Sequence, residues 1–220
     1  RGSAEALRTL GLQVDADRAT QAACLDELGI CFCYAVHHHP AIKNVMPVRM
    51  ALGIPTLFNI LGPLTNPVGA KRQVMGVYDA RFLKPIAGAL RALGATRAIV
   101  MHSQDGLDEL SISAPTDLVH VTPEGIRSER VSPEDLGLAR APRDAVVARD
   151  LEHAAQMVRD VISGQDQGPA RDMTLMSAAA ALFVAEKVKT LREGVTLAAR
   201  TINEKKAQHK FEAWVARSNA

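Results

Sequence analysis

The stretch QVMGVYDARFLKPIAGALRALGATRAIVMHSQDGLDELS, residues 73–111, decides the fold. QVMGVY (73–78) reads as a strand, 83–93 as a helix, and RAIVMH (97–102) as a strand made mostly of buried-type residues. Strands alternating with helices in this way argue for an α/β layer structure with a largely parallel central sheet flanked by helices. In such a sheet the loops after the carboxyl ends of the strands are where ligands sit. The stretch ends in such a loop. Asp105 and Gly106 make a turn, and Asp108 and Glu109 follow as adjacent carboxylates at the sheet edge. Paired oxygens there suit a hard cation such as magnesium, which often takes one or two carboxylates together with substrate phosphate. The stretch by itself leaves a solvated acidic turn open.

Working outward, 108–113 and 117–121 read as short strands and 133–150 as loop. Helices are expected at 151–162, 172–183, 195–203 and 206–216. Towards the N-terminus, Ser3 opens a short helix at 3–10 that Gly11 closes, and 16–28 is a second helix with Asp15 or Asp17 as its cap. LGICFCYAV (28–36) is short, apolar and bulky, consistent with a buried strand, or its first two residues finish the preceding helix with Gly29 as the stop. Helical spacing of Ile42, Val45, Val48 or Arg49, and Leu52 marks 41–52 as a helix interrupted by Pro47, with a second short helix at 56–61. That helical pair breaks the alternation. It divides the chain into a large α/β domain, 1–40 and 68–220, and a helical segment, 41–67, belonging to a small helical domain or hinge.

The 220 residues are 47% hydrophobic but only 4% aromatic, so aliphatic side chains and alanine must fill the core. With 26 basic against 24 acidic residues the net charge is +2, which gives no push towards nucleic acid or an anionic membrane. No apolar run reaches the length of a membrane span, and RGSAEALRTLG has no signal-peptide core. Three cysteines, Cys24, Cys31 and Cys33, make no disulfide framework. Cys31 and Cys33 read as two small buried residues on one face rather than half of a zinc site.

Other candidates lie at 37–67. Three successive histidines cannot converge on one metal, because extended side chains alternate faces. A single histidine, His39, fixed by Pro40 at a loop edge, is the functional reading, and a polar loop is the plain one. Arg49 could clamp a carboxylate through a bidentate guanidinium contact, although spacing alone leaves it a solvated charge. NILGPLTNP (59–67) is a rigid, uncharged pocket wall or a structural turn. No hydrolase elbow, P-loop or dinucleotide fingerprint occurs.

Taken together, HHPAIKNVMPVRMALGIPTLFNILGPLTNP (38–67), the turn DGLDELS (105–111) and GPARDMTLMSAAAAL (168–182) resemble the anthranilate phosphoribosyltransferases. The resemblance implies a nucleoside phosphorylase/phosphoribosyltransferase-like fold with substrates bound between a helical and an α/β domain. It implies that His39 and Arg49 face anthranilate, with Arg49 near its carboxylate, and that Asp108 and Glu109 hold Mg2+ against the pyrophosphate of phosphoribosyl pyrophosphate. It also implies that Ser3, in Gly2-Ser3-Ala4-Glu5, closes the phosphate-binding region. The partners implied are the two substrates, with no nucleic acid and no membrane, in a cytoplasmic enzyme of tryptophan biosynthesis whose full-length members are homodimers. The family's glycine-rich loops precede the segment at which this chain begins, so the 220-residue chain alone is expected to have little or no transferase activity. A pyrimidine nucleoside phosphorylase-like enzyme, and a non-catalytic relative that binds nucleic acid or a protein, are the alternatives.

Overall fold

A computed structural model describes residues 3–38, 61–62, 64–66 and 68–220. Helices α1 (Ser3–Thr9) and α2 (Arg18–Leu28) form close to where the sequence places them. Asp17 caps α2, its carboxylate accepting from the Thr20 backbone N–H at 2.8 Å, and Gly29 ends it in a left-handed conformation at φ 73°. The other cap candidate, Asp15, instead pairs with Arg8 at 2.6 Å. The expected strand at 28–36 does not form. The chain is irregular from Ile30 to Tyr34 and then makes the short helix α3 (Ala35–His38). Cys31 and Phe32 pack on a cluster built from Leu12, Val14, Cys24 and Trp214. The run is therefore apolar because it lies on helices, a distinction that a short apolar run does not encode. The Cys31 and Cys33 sulfurs are 3.8 Å apart, but the residues are half-buried in irregular chain rather than buried on a strand; partial burial, then the neighbouring Cys33, pushes the Cys31 thiol up to about 11. The helix expected at 41–52, and all but the last residue of the one at 56–61, lie outside the described residues.

The strand–helix–strand unit is present. β1 (Arg72–Gly76) leads through a 3-10 turn into α4 (Leu83–Ala92), which returns to β2 (Arg97–Ser103), parallel to β1 with Val74 opposite Ile99. β3 (Thr116–Thr122) and β4 (Gly125–Val131) complete the order β1-β2-β3-β4. The α/β class holds, but the described sheet is mixed rather than largely parallel: β2–β3 and β3–β4 are antiparallel. The reason is connectivity. No helix bridges β2 to β3, and a tight hairpin joins β3 to β4, so these strands can only reverse direction. β4 has no counterpart among the strands expected from the sequence. Among the described residues β1 pairs only with β2.

Four further helices follow: α5 (Leu151–Ile162), α6 (Pro169–Val184), α7 (Leu191–Asn203) and α8 (Lys206–Ser218). β2 is apolar on both faces because both faces are covered. Val100, with Val119 and Val121, packs against Ile86 and Leu90 of α4, while Ile99 and Met101, with Leu118, pack against Leu175 and Met176 of α6. Each such fully buried aliphatic side chain contributes about 1.5–3 kcal/mol. The alanine run of α6 permits a close approach of α7: a Cβ added at Gly194 would meet Ala179 Cα and Cβ at 2.8 Å. α8 returns to the N-terminal helices, with Trp214 buried in their cluster and Arg217 paired to Glu27 at 2.9 Å.

Candidate active site

The parallel pair β1–β2 delivers its carboxyl ends to one place, and the loop 104–115 begins there. A strand is expected from the sequence at 108–113, but the segment makes no ladder. Its backbone and side chains are bonded locally instead. The Ser103 N–H donates to the Leu107 carbonyl at 2.8 Å, and the Ser111 N–H donates to the Thr116 hydroxyl at 3.1 Å. Asp105 organises the rest. Its carboxylate accepts from the Ser111 hydroxyl at 2.6 Å, from the Ser113 hydroxyl, and from the Leu107 N–H at 3.4 Å. Partial burial opposes that charge, but the hydroxyls of Ser111, Ser113 and Ser103 outweigh it and hold the carboxyl at about 2. Leu110 and Ile112 alternate with these serines and are buried, which pins the loop to the core.

Asp108 and Glu109 stand at the crest of this loop. The backbone of Asp108 lies directly on Gly76, the last residue of β1: an ideal Cβ there would be 1.6 Å from the Asp108 carbonyl oxygen. Only glycine leaves room. Both carboxylate residues border a cavity of about 700 Å³ whose other walls are mostly apolar, including Val74, Met101, Met157 and Met173. Desolvation raises the Glu109 pKa, and repulsion from Asp108 adds to it. Among the described residues no hydrogen bond or ion pair neutralises either carboxylate.

This donor set fits magnesium. Two adjacent, unneutralised carboxylates at the mouth of a cavity leave most of an octahedral shell to water and phosphate oxygens, as magnesium prefers. It does not fit a closed structural metal site, since no group of three or more histidine, cysteine or acidic residues converges among the described residues.

Ser3 is exposed at the start of α1, which packs on α5; it does not line the cavity that Asp108 and Glu109 border. His39 and Arg49 lie outside the described residues. Of the histidine run, His37 bonds Asp15 at 2.8 Å and His38 bonds Gln21 at 2.8 Å, so these two tie α3 to the start of α2. Sequence reasoning missed Gly76, Ser111 and Ser113. The Ser-x-Ser spacing after an Asp-Gly turn was the available signal for the last two.

The model of the "Glycosyl transferase family, a/b domain" matches residues 1–208. The chain belongs to that family. Among its relatives, the anthranilate phosphoribosyltransferase of Symbiobacterium thermophilum is 46% identical over 96% of this chain and 62% of its own length. That of Rubrobacter xylanophilus is 42% identical over 97% of this chain and 63% of its own length. The chain thus spans less than two thirds of these curated relatives. The crystal structure of anthranilate phosphoribosyltransferase from Thermus thermophilus superposes with a TM-score of 0.92 at 38% identity, covering 100% of this chain and 65% of that one. A Saccharomyces cerevisiae enzyme of the same name, at 24% identity and a TM-score of 0.90, shares the fold.

Proposed function

We propose that this glycosyl transferase family chain serves the transfer of a phosphoribosyl group from phosphoribosyl pyrophosphate to the amino nitrogen of anthranilate, with release of pyrophosphate, in tryptophan biosynthesis in the cytoplasm. The observation that carries the reading is the Asp108–Glu109 pair. It is seated on Gly76 beside a cavity at the carboxyl ends of β1 and β2, in a chain 42–46% identical to anthranilate phosphoribosyltransferases. A Saccharomyces cerevisiae enzyme of that name has been solved with 4-fluoroanthranilate, and also with phosphoribosyl pyrophosphate and Mg.

In this reading Asp108 and Glu109 hold Mg2+, whose charge neutralises the departing pyrophosphate when bound. The lone pair of the anthranilate nitrogen forms the new bond to ribose C1 as the bond from C1 to pyrophosphate oxygen breaks, and the nitrogen then loses its proton. An aromatic amine is already a nucleophile, so no covalent enzyme group is required. Arg49 binds the anthranilate carboxylate and His39 faces the same substrate, which lowers the entropic part of the barrier by orientation. Ser3 contributes to the phosphate-binding region. Residues 41–67 belong to the small helical domain and 1–40 with 68–220 to the large one. The full-length assembly is a homodimer.

The test is a calorimetric titration of anthranilate onto the chain and onto Arg49→Ala. Binding that the substitution abolishes supports the acceptor pocket. Equal heats from both proteins would remove Arg49 from its assigned role. A companion assay of transferase turnover is expected to show little activity from the 220-residue chain alone.

A further inference from the structure

We infer that Asp105 is the positioning residue of the cation site: its carboxylate, bonded to the Ser111 and Ser113 hydroxyls, closes the loop in whose middle Asp108 and Glu109 stand. The inference rests on the reading of that pair as magnesium ligands.

The geometry is that of a cross-loop tie. Asp105 sits at the start of the segment, and Ser111 and Ser113 sit at its end. The bond from Ser111 Oγ to Asp105 Oδ2, at 2.6 Å, turns residues 105–111 into a closed ring. Ser113 donates to the same oxygen, and Ser111 Oγ in turn accepts from the Ser113 N–H at 3.0 Å. The Leu107 N–H points to the other carboxylate oxygen at 3.4 Å. From outside, Arg143 donates to the Asp105 backbone carbonyl at 3.0 Å, linking the ring to the turn that carries Val146, a wall of the cavity. From below, Gly76 supports the Asp108 backbone. None of these contacts uses the Asp108 or Glu109 carboxylates, which stay available to a ligand. Two like charges on successive residues repel each other, and an untied loop would relax by spreading them. The tie from Asp105 prevents this. Asp105 commits one carboxylate oxygen, Oδ2, to the two hydroxyls, and that tie is its geometric task.

The test measures Mn2+ binding to the full 220-residue chain by the enhancement of water-proton relaxation, with inorganic Mn2+ as the probe and melting curves recorded in parallel. Four variants are compared: Asp105→Ala, Asp105→Asn, the pair Ser111→Ala with Ser113→Ala, and the pair Asp108→Asn with Glu109→Gln. Removing an outer group that orients metal ligands typically weakens binding about 10- to 100-fold. Asp105→Ala and the double serine variant are each expected to fall in that range, while saturating Mn2+ restores the full relaxation enhancement. Asp105→Asn, which keeps an acceptor oxygen near the hydroxyls, recovers much of the affinity. A folded Asp105→Ala or double serine variant that binds Mn2+ as the unaltered chain does overturns the inference. If the Asp108→Asn, Glu109→Gln protein retains Mn2+, or the unaltered chain binds none, the ligand assignment itself fails and the inference falls with it. Loss in that variant with no loss on removing the tie isolates the failure to Asp105.

Discussion

The carbonyl oxygen of Asp108 occupies the space in which a side chain on Gly76 would begin, 1.6 Å from an ideal Cβ. Backbone cannot yield as a flexible side-chain tip can, so Gly76→Ala must displace the loop. Overpacking of this kind costs about 1–3 kcal/mol. In a chain of this size that is on the order of 2–12 °C in Tm. The same displacement moves Asp108, so Mn2+ affinity should drop along with Tm. An alanine variant that melts and binds as the unaltered chain does would contradict the contact.

Gly194 makes a second prediction, in which two effects compete. Alanine in a helix interior is favoured over glycine by about 1 kcal/mol. The new methyl, however, would meet Ala179 Cα and Cβ at 2.8 Å. Wedging α6 from α7 costs about 1–3 kcal/mol. The wedge is expected to win, so Gly194→Ala should lower stability in a urea titration. Combined with Ala179→Gly, the total loss should be smaller than the sum of the two single losses, as coupling between touching sites requires.

Asp105 predicts an acid-dependent step. Its folded carboxyl sits at about 2, below the ordinary aspartate value of 3.8. A carboxylate with a depressed folded pKa contributes stability that is fully present above its unfolded pKa and is lost as pH falls through the folded value. The window is therefore between about pH 4 and 2. Hydrogen exchange at the Leu107 and Ser113 amides should rise there relative to the amides of β2. In Asp105→Asn that extra dependence should vanish; its persistence would assign the step to another carboxyl.

Trp214 is the only tryptophan and is 8% exposed, packed among Leu12, Val14 and Cys24. Its emission should be blue-shifted and should report on the contact between α8 and the N-terminal helices. Truncation to alanine should cost about 3–5 kcal/mol, with protection lost first in α1 and α2. Loss spread evenly over the sheet would show instead that this cluster unfolds only with the whole domain.

The legible parts of the fold are those with strong periodicity or local chemistry. RAIVMH and the helix before it announce the parallel unit because burial on both faces leaves no polar alternation. Asp17 and Gly29 mark the ends of α2 by cap chemistry alone. GIRSERV escapes notice because its residues are half-exposed and charged, and its strand character comes from pairing with β3, as when Asp117 meets Arg130 at 2.7 Å. LGICFCYAV misleads for the converse reason, since apolar content does not say whether a helix or a strand lies opposite. In the site, Asp108 and Glu109 stand out by type and by position after a strand. Their seat on Gly76 is a contact between segments far apart in sequence, and nothing local encodes it.

Among the described residues β1 has a strand on one side only, which has a consequence for handling the protein. A strand with one unpaired side offers a row of free backbone donors and acceptors. Arg72, paired with Glu186, puts charge at one end only, and no proline or bulge interrupts the strand. Concentrated solutions of this 220-residue chain should therefore self-associate through main-chain pairing, which light scattering over a concentration series would show.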